Sequence, residues 1–241
     1  MSPESFRFIV LHTIRHKESG IIIQGYGNLE GRGAFFLKAS GNKRHTLSVL
    51  HPLSILDIET SSRNFGELKS IKEFNTAYNL KSIRSNIGKS AIAIFLSELT
   101  LRTIKEFEQN KRLFSFLEHS ILDLESICKG SSNFHLYFLV KFTGILGYLP
   151  EIPVHTKGML FDIPSAGYTL GNNMPNLHFD KEESELLATL YRISPENLEE
   201  LKIKKELKNR FIKSMLRYIS YHTGSEIHCE SLGVLQEVFA Y

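Results

Sequence analysis

The hydrophobic pattern of this chain changes its period once, between residues 78 and 85. Before this point, short runs rich in β-branched and aromatic residues alternate with polar ones, a pattern typical of strands. After it, apolar residues recur every three or four positions, as on one face of a helix, beginning with Ile87, Ala91 and Ile94. The change predicts a β module of about 80 residues followed by a helical domain of about 160.

The β module contains five short strand-like runs joined by turns of hairpin length. Four glycines between residues 25 and 33 surround Asn28-Leu-Glu-Gly, which predicts a tight turn. Their spacing does not match a phosphate-binding loop, and a strand rather than a helix is expected to follow. Five such strands before any long helix predict a small closed barrel over residues 1–80.

Residues 81–241 are predicted to form the helical domain. The segment from Phe134 to Gly147 is almost entirely apolar, which predicts a buried central helix. Asp180 and the acids after it predict a helix N-terminus, and a long basic amphipathic helix is expected to end near Thr223. Residues 151–179 contain three prolines and are predicted to form a loop or a short hairpin.

Cysteine content and apolar run lengths exclude several classes of protein. The chain has two cysteines in 241 residues, Cys128 and Cys229, too few for a disulfide-rich scaffold or a complete four-cysteine zinc site. No apolar run reaches the ~20 residues that span a bilayer, and the first residues lack the order of a signal peptide. These features predict a protein of the reducing cytosol without a membrane partner.

The formal net charge of +3 is unevenly distributed, because residues 1–80 and 81–150 each carry +3 and residues 151–241 carry −3. Cations and aromatic residues interleave in the β module, a combination that suits single-stranded nucleic acid. The candidate nucleic-acid contacts are Arg7, Arg15, Lys17, Arg32, Lys38, Lys43 and Arg44. A second candidate basic surface comprises Lys202, Lys204, Lys205, Lys208, Arg210 and Lys213. In the alternative interpretation, the aromatic residues form the core and the cations only solubilise the protein.

The sequence contains no recognisable motif for catalysis or metal binding. The chain has no Gly-x-Ser-x-Gly nucleophile motif, and its paired acids are expected on solvated helix faces. His155, Asp162 and His178 lie in the proline-containing segment but lack a recognisable metal-ligand spacing. We therefore predict no catalytic residues, no metal and no cofactor.

Several segments, in this order along the chain, resemble the RecO family of recombination mediators. The opening Phe6-Arg-Phe-Ile-Val-Leu-His-Thr-Ile-Arg-His-Lys-Glu-Ser-Gly resembles the family's first strand and basic turn. The further matches are Glu30-Gly-Arg-Gly-Ala-Phe-Phe-Leu-Lys-Ala, His51-Pro-Leu-Ser-Ile-Leu-Asp-Ile-Glu, Leu68-Lys-Ser-Ile-Lys-Glu-Phe, Ile92-Ala-Ile-Phe-Leu-Ser-Glu-Leu and Glu230-Ser-Leu-Gly-Val-Leu-Gln-Glu-Val-Phe. The resemblance covers most of the chain, and the ordered set of segments carries it.

The resemblance implies an α+β fold, with an N-terminal five-stranded OB-fold β-barrel (residues 1–80) followed by an all-α helical domain (residues 81–241). Many family members carry a four-cysteine zinc ribbon after the segment that here reads Leu146-Gly-Tyr-Leu-Pro. Residues 151–179 contain no cysteine, so we expect an irregular insertion in place of the ribbon.

The resemblance also implies a function. Such proteins are non-enzymatic mediators that bind single- and double-stranded DNA, anneal complementary strands and help to load the recombinase RecA on DNA coated by single-strand binding protein (SSB). The implied partners are RecR, the acidic C-terminal tail of SSB, and RecF, in the bacterial cytoplasm at the nucleoid. An acidic peptide with an apolar end would need an apolar pocket beside a cation, which the helical domain could provide.

Two other functions stay open on the residues alone. One is a protein-interaction adaptor without nucleic-acid binding, which a surface lacking a contiguous positive patch would favour. The other is a small-molecule enzyme with a site between the two domains, for which scattered histidines and paired acids are the only support.

Overall fold

A computed structural model describes residues 5–16, 20–38, 49–65, 68–105, 107–149, 158–170 and 177–239. The chain divides into two compact units. The first comprises Met1–Asn86 with Ala93–Glu125, and the second comprises Ile87–Ile92 with Ser126–Tyr241. The first unit thus contains helical segments in addition to the predicted β module.

The first unit is built on a closed five-stranded barrel. Its strands are β1 (Ser5–His16), β2 (Gly20–Gly27), β3 (Gly31–Lys38), β4 (Ile55–Phe65) and β5 (Leu68–Thr76). They follow the order β1-β2-β3-β5-β4, and β1 pairs with β4 to close the sheet. All neighbours are antiparallel except β3 and β5, which are parallel. The predicted OB-fold barrel is therefore confirmed.

Apolar side chains at alternate positions along the strands fill the barrel. Phe8, Ile23 and Phe35 point inward and are at most 2% exposed, and the core also contains Leu56 and Ile58. The rings of Phe8 and Phe35 meet edge to face with centroids 5.1 Å apart, a favoured aromatic geometry. Strand periodicity in the sequence therefore translates directly into the barrel core.

Helical segments pack with the barrel in the first unit. These are α1 (Lys81–Ser85), α3 (Lys111–Ser126) up to Glu125, and the part of α2 (Ile87–Thr103) that starts at Ala93. The Glu125 carboxylate accepts hydrogen bonds from the backbone N–H groups of Ser82 and Ile83, each at 2.8 Å. These groups have no partner within α1, so Glu125 caps the helix and ties it to α3.

The turn between β2 and β3 holds the segment that joins α2 to α3. Gly31 has a φ of +68° and lies so close to the Glu108 carbonyl that a Cβ would overlap it. The Gln109 side chain donates to the Asn28 carbonyl at 2.7 Å, and Arg32 donates to the Ile104 carbonyl at 2.7 Å. The predicted tight turn is present, and its glycine is required by both conformation and close approach.

The second unit is mainly helical. Besides the first turns of α2, it contains α4 (Phe134–Ile145), α5 (Lys181–Arg192), α6 (Lys205–Thr223) and α7 (Ser231–Val238), with short 3-10 helices at Ser131–Asn133 and Pro195–Glu200. The apolar α4 packs against α5 and α6, as its composition predicts. Asp180 and Glu183 form a reciprocal capping box that begins α5, as the acidic run predicts.

The second unit also contains a two-stranded antiparallel hairpin, β6 (Met159–Asp162) and β7 (Gly167–Leu170). It lies within the predicted insertion 151–179, of which residues 158–170 and 177–179 are described. In the parts of the chain that the structure describes, no helix is both long enough and apolar enough to cross a membrane.

Candidate nucleic-acid interface

Arg7 lies in a compact charged cluster within the first unit. Its guanidinium contacts Asp57 at 3.2 Å and Glu118 at 2.8 Å, and it lies 5.4 Å from the ring centroid of Tyr78. The hydrogen bond to Glu118 is the largest cause that raises the pKa of Arg7. Two carboxylates therefore compensate this cation, which links β1 and β4 to α3.

Other barrel cations are also paired inside the unit. Lys69 forms an ion pair with Glu30, and Lys72 pairs with Glu59 at 2.7 Å. Arg32 is partly buried and donates to the backbone of the α2–α3 segment, as described above. Lys69 and Lys72 of β5 are thus paired with acids, and Arg32 near the start of β3 is hydrogen-bonded to a backbone carbonyl.

Arg15 and Lys38 are exposed at one end of the barrel strands β1–β3. Arg15 lies opposite Ile21, and Lys38 lies opposite Gly20, so both are next to the start of β2. Lys17, Lys43 and Arg44 are outside the described residues. In sequence, Lys17 directly follows β1, and the other two come five and six residues after the end of β3.

The strands β1–β3 also present an outer face, which we define by nine residues that the register aligns in three rows. The rows are His12–Gln24–Ala34, Ile14–Ile22–Phe36 and His16–Gly20–Lys38. Residues directly opposite one another share a face of a sheet. Ile21, Ile23, Phe35 and Leu37 point to the other face and are buried in the barrel.

The aromatic residues of the β module are buried. Phe6, Phe8, Tyr26, Phe35 and Phe36 are all 5% exposed or less. The idea that these rings are exposed for base stacking is therefore wrong, because packing within the unit covers them. Phe107, which the sequence analysis did not select, is 73% exposed, but it is flanked in sequence by Glu106 and Glu108.

The second basic surface divides into paired and exposed cations. Arg210 contacts Asp180 at 3.2 Å and also Glu182, and the hydrogen bond with Glu182 is the largest cause that raises its pKa. Lys202, Lys204, Lys205 and Lys213 are exposed, and Lys208 is partly buried. The helix face is thus less positive than its composition suggests, because Arg210 is neutralised by the N-terminal region of α5.

A pocket of about 210 Å³ lies in the second unit beside Lys208. Its apolar lining includes Ile212, Leu235 and Phe239, and Lys208 donates to both the carbonyl and the hydroxyl oxygen of Ser132 at 3.2 and 3.5 Å. Burial lowers the pKa of Lys208, and no carboxylate among the described residues forms an ion pair with it.

His135 lines the same pocket and is 3% exposed. Burial first and the charge of Lys208 second lower its pKa to about 3, so its imidazole is neutral at physiological pH. Its Nδ1 atom has no hydrogen-bond partner within the described structure. The pocket therefore combines apolar walls, a cation and a free polar atom, a combination that suits an apolar ligand with a carboxylate. Sequence spacing carried no signal for it, since its residues come from separate segments of the chain.

Aromatic packing surrounds the hairpin in the second unit. Phe161 is fully buried, and its ring centroid lies 5.2–5.4 Å from those of Tyr168, Phe179 and Tyr218. The Asp162 carboxylate accepts two hydrogen bonds from Ser165. His155 is outside the described residues, and within those that are described no three His, Cys, Asp or Glu residues come together as a metal site.

Comparison with known proteins identifies the family. The family models for the N-terminal and C-terminal parts of recombination protein O match residues 1–80 and 84–228. Proteins named DNA repair protein RecO are 32% identical in Azobacteroides pseudotrichonymphae, 30% in Phocaeicola vulgatus and 32% in Bacteroides fragilis, over 96% of this chain and 97% of each relative. The chain belongs to the RecO family of DNA repair proteins.

Proposed function

We propose that this protein is a non-enzymatic recombination mediator of the bacterial cytoplasm and nucleoid. It binds single- and double-stranded DNA through its barrel, anneals complementary strands and helps to load RecA on DNA coated by SSB. RecR, RecF and the C-terminal tail of SSB are its proposed protein partners. Family membership supports the DNA repair role, and the end of the barrel that carries Arg15 and Lys38 is the observation that carries the DNA-binding mode.

The distribution of paired charges supports DNA binding at this end of the barrel. Arg7, Lys69 and Lys72 form ion pairs with acids of the first unit. Arg15 and Lys38 are exposed, and Lys17, Lys43 and Arg44 are close to them in sequence. Within residues 15–18 and 38–44, five cations accompany a single acid, Glu18. Positive charge concentrated beside a sheet face attracts the phosphate backbone.

Titration of fluorescein-labelled oligonucleotides at several salt concentrations tests this mode. The double variant Arg15→Ala/Lys38→Ala should weaken binding and reduce the salt slope for single strands by about 1.4, since each phosphate contact contributes about 0.7. Lys43→Ala/Arg44→Ala should act in the same direction. The matched control is Lys69→Ala/Lys72→Ala, which removes two cations that are already paired with acids. Equal effects of the first and the control pair would refute the assignment.

The pocket in the second unit supports the proposed contact with the SSB tail. An acidic peptide that ends in an apolar residue would place that residue among Ile212, Leu235 and Phe239 and its carboxylate near Lys208. Lys208→Gln should weaken such a peptide about 10- to 100-fold, since a hydrogen bond to a charged group contributes about 1.5–3 kcal/mol. Lys213→Gln, an exposed change on the same helix, is the control, and a peptide with a C-terminal amide should bind weakly to both variants and to the parent. Equal binding of acid and amide would count against the pocket.

A further inference from the structure

The Phe239 side chain lines the pocket beside Lys208 and stacks on the His135 ring. The two rings are nearly parallel, with an interplanar angle of 19° and centroids 5.9 Å apart. His135 is 3% exposed, whereas Phe239 is partly exposed. Phe239 therefore occupies the place at which an apolar group of a bound ligand would pack on the imidazole.

Phe239 is attached to the fold in a way that allows its ring to move. Its helix α7 is anchored earlier in the chain, where Ser231 and Leu235 are buried. Glu237 is exposed and Val238 partly exposed, and Phe239 follows the last residue of the helix, with its backbone N–H donating to the Leu235 carbonyl at 3.2 Å. Helix ends fray, so the ring can leave the imidazole while the buried part of α7 stays in place.

The stacked arrangement leaves a buried polar atom without a hydrogen bond. The Nδ1 atom of His135 has no partner within the described structure, and a buried polar atom in this state costs free energy. Ring stacking is favourable and opposes this cost. Displacement of Phe239 ends the stacking but opens the imidazole to water or to a ligand. These two contributions have opposite signs and similar sizes, so Phe239 is held only weakly on His135.

The charges around the imidazole suit an anionic ligand. Lys205 and Lys208 both line the pocket from α6, and none of the described residues that line it is acidic. The apolar lining of Ile212 and Leu235 lies in the same pocket. A ligand that combines an apolar group with a carboxylate therefore has a reason to compete with Phe239 for this place.

We propose that Phe239 acts as an internal ligand, which covers His135 until an acidic peptide with an apolar last residue displaces it. This inference rests on the proposed contact with such a peptide and adds the regulation of that contact. The apolar end of the peptide replaces the Phe239 ring on the imidazole, and its carboxylate lies near Lys208. The apparent affinity of the pocket is then reduced by the fraction of molecules in which Phe239 covers it.

The variant Phe239→Ala distinguishes an internal ligand from a fixed wall of the pocket. Calorimetric titration of the full chain with the synthetic peptide Asp-Asp-Asp-Gly-Leu-Phe, which has a free C-terminal carboxylate, measures the difference. Loss of an internal ligand should strengthen binding about 2- to 10-fold, the factor that corresponds to one aromatic pair. Loss of a wall that contacts the peptide would weaken binding. Val234→Ala, at a 49% exposed position of α7 outside the pocket lining, is the matched control and should leave the affinity unchanged.

An introduced indole reports on the displacement directly, because the chain contains no tryptophan. In Phe239→Trp, saturating peptide should shift the indole emission to longer wavelength as the ring leaves the imidazole for water. If the emission shifts to shorter wavelength or stays constant, or if Phe239→Ala binds the peptide no more tightly than the parent protein, the displacement is overturned while the pocket contact stands. If the peptide binds neither the parent nor Phe239→Ala, both the displacement and the proposed peptide contact are overturned.

Discussion

Replacing Phe161 by Ala tests how the hairpin of the second unit is held in place. The Phe161 side chain is fully buried, and three aromatic rings surround it at centroid distances of 5.2–5.4 Å. Its backbone N–H donates to the hydroxyl of Ser184 at 2.9 Å, which fixes β6 against α5. Phe161 therefore joins the hairpin to the core of the second unit.

The magnitude follows from these contacts. Truncation of a buried Phe to Ala costs about 3–5 kcal/mol of unfolding free energy, and each aromatic pair adds about 0.5–1.5 kcal/mol beyond the buried area. With complete burial and three ring partners, we expect a loss of about 4 kcal/mol for Phe161→Ala. This is a large share of the roughly 5–15 kcal/mol that stabilises a typical protein.

Urea unfolding followed by circular dichroism measures this loss. Leu170→Ala on the neighbouring strand is the control, because Leu170 is 65% exposed and its truncation should change the unfolding free energy by no more than about 0.5 kcal/mol. Phe161→Leu retains much of the apolar volume and should fall between the two. If Phe161→Ala costs no more than Leu170→Ala, the hairpin is not anchored by this ring and the reasoning fails.

Three further predictions concern titration, backbone conformation and the Arg7 cluster. The folded pKa of His135, about 3, lies below its unfolded value near 6.5. This residue therefore lowers the unfolding free energy by about 1.4 kcal/mol for each pH unit below 6.5. In His135→Leu, the unfolding free energies measured in urea at pH 6 and pH 4.5 should differ less than they do in the parent protein. Gly31→Ala should destabilise the protein by more than about 1 kcal/mol, because Gly31 has a positive φ and no room for a Cβ. Gly233→Ala, within α7 and with no atom near the new Cβ, should stabilise it by about 0.5–1 kcal/mol. Melting temperatures that shift in the same direction in both variants would contradict the backbone argument. Glu118→Gln should cost about 1–2 kcal/mol in unfolding while leaving the salt slope of DNA binding unchanged, since Arg7 keeps its ion pair with Asp57; an altered slope would show that Arg7 reaches phosphate.

Local periodicity was sufficient to predict the barrel and most helices. Alternating residue types over residues 6–38 predict strands and do not fit a helical period. The start of α5 is also a local feature, because Asp180 and Glu183, three residues apart, form its capping box. The grouping of helices with the barrel was not predictable in this way. It depends on long-range pairs such as Arg7 with Glu118, which are 111 residues apart.

The candidate site illustrates the same limit. Residue type alone made Arg7 and Arg15 equivalent, although the first contacts two carboxylates and the second is exposed at a strand end. The aromatic residues of the β module were equally ambiguous, because alternation cannot tell which side of a strand is covered. Phe8 and Phe35 point into the barrel core, whereas Phe36 lies on the outer face and is buried there as well. The pocket beside Lys208 left no trace in sequence spacing, since its lining comes from segments that only the fold brings together.

Charge pairing explains why a modest net charge is compatible with a nucleic-acid surface. Residues 1–80 carry ten cations and seven acids, a difference of only +3. Four acids, Glu30, Asp57, Glu59 and Glu118 of α3, lie within ion-pair distance of Arg7, Lys69 and Lys72. These four acids therefore pair with cations that stabilise the fold. The nine residues of the outer face of β1–β3 include no acid, so the exposed Lys38 in its last row gives this set a positive formal charge.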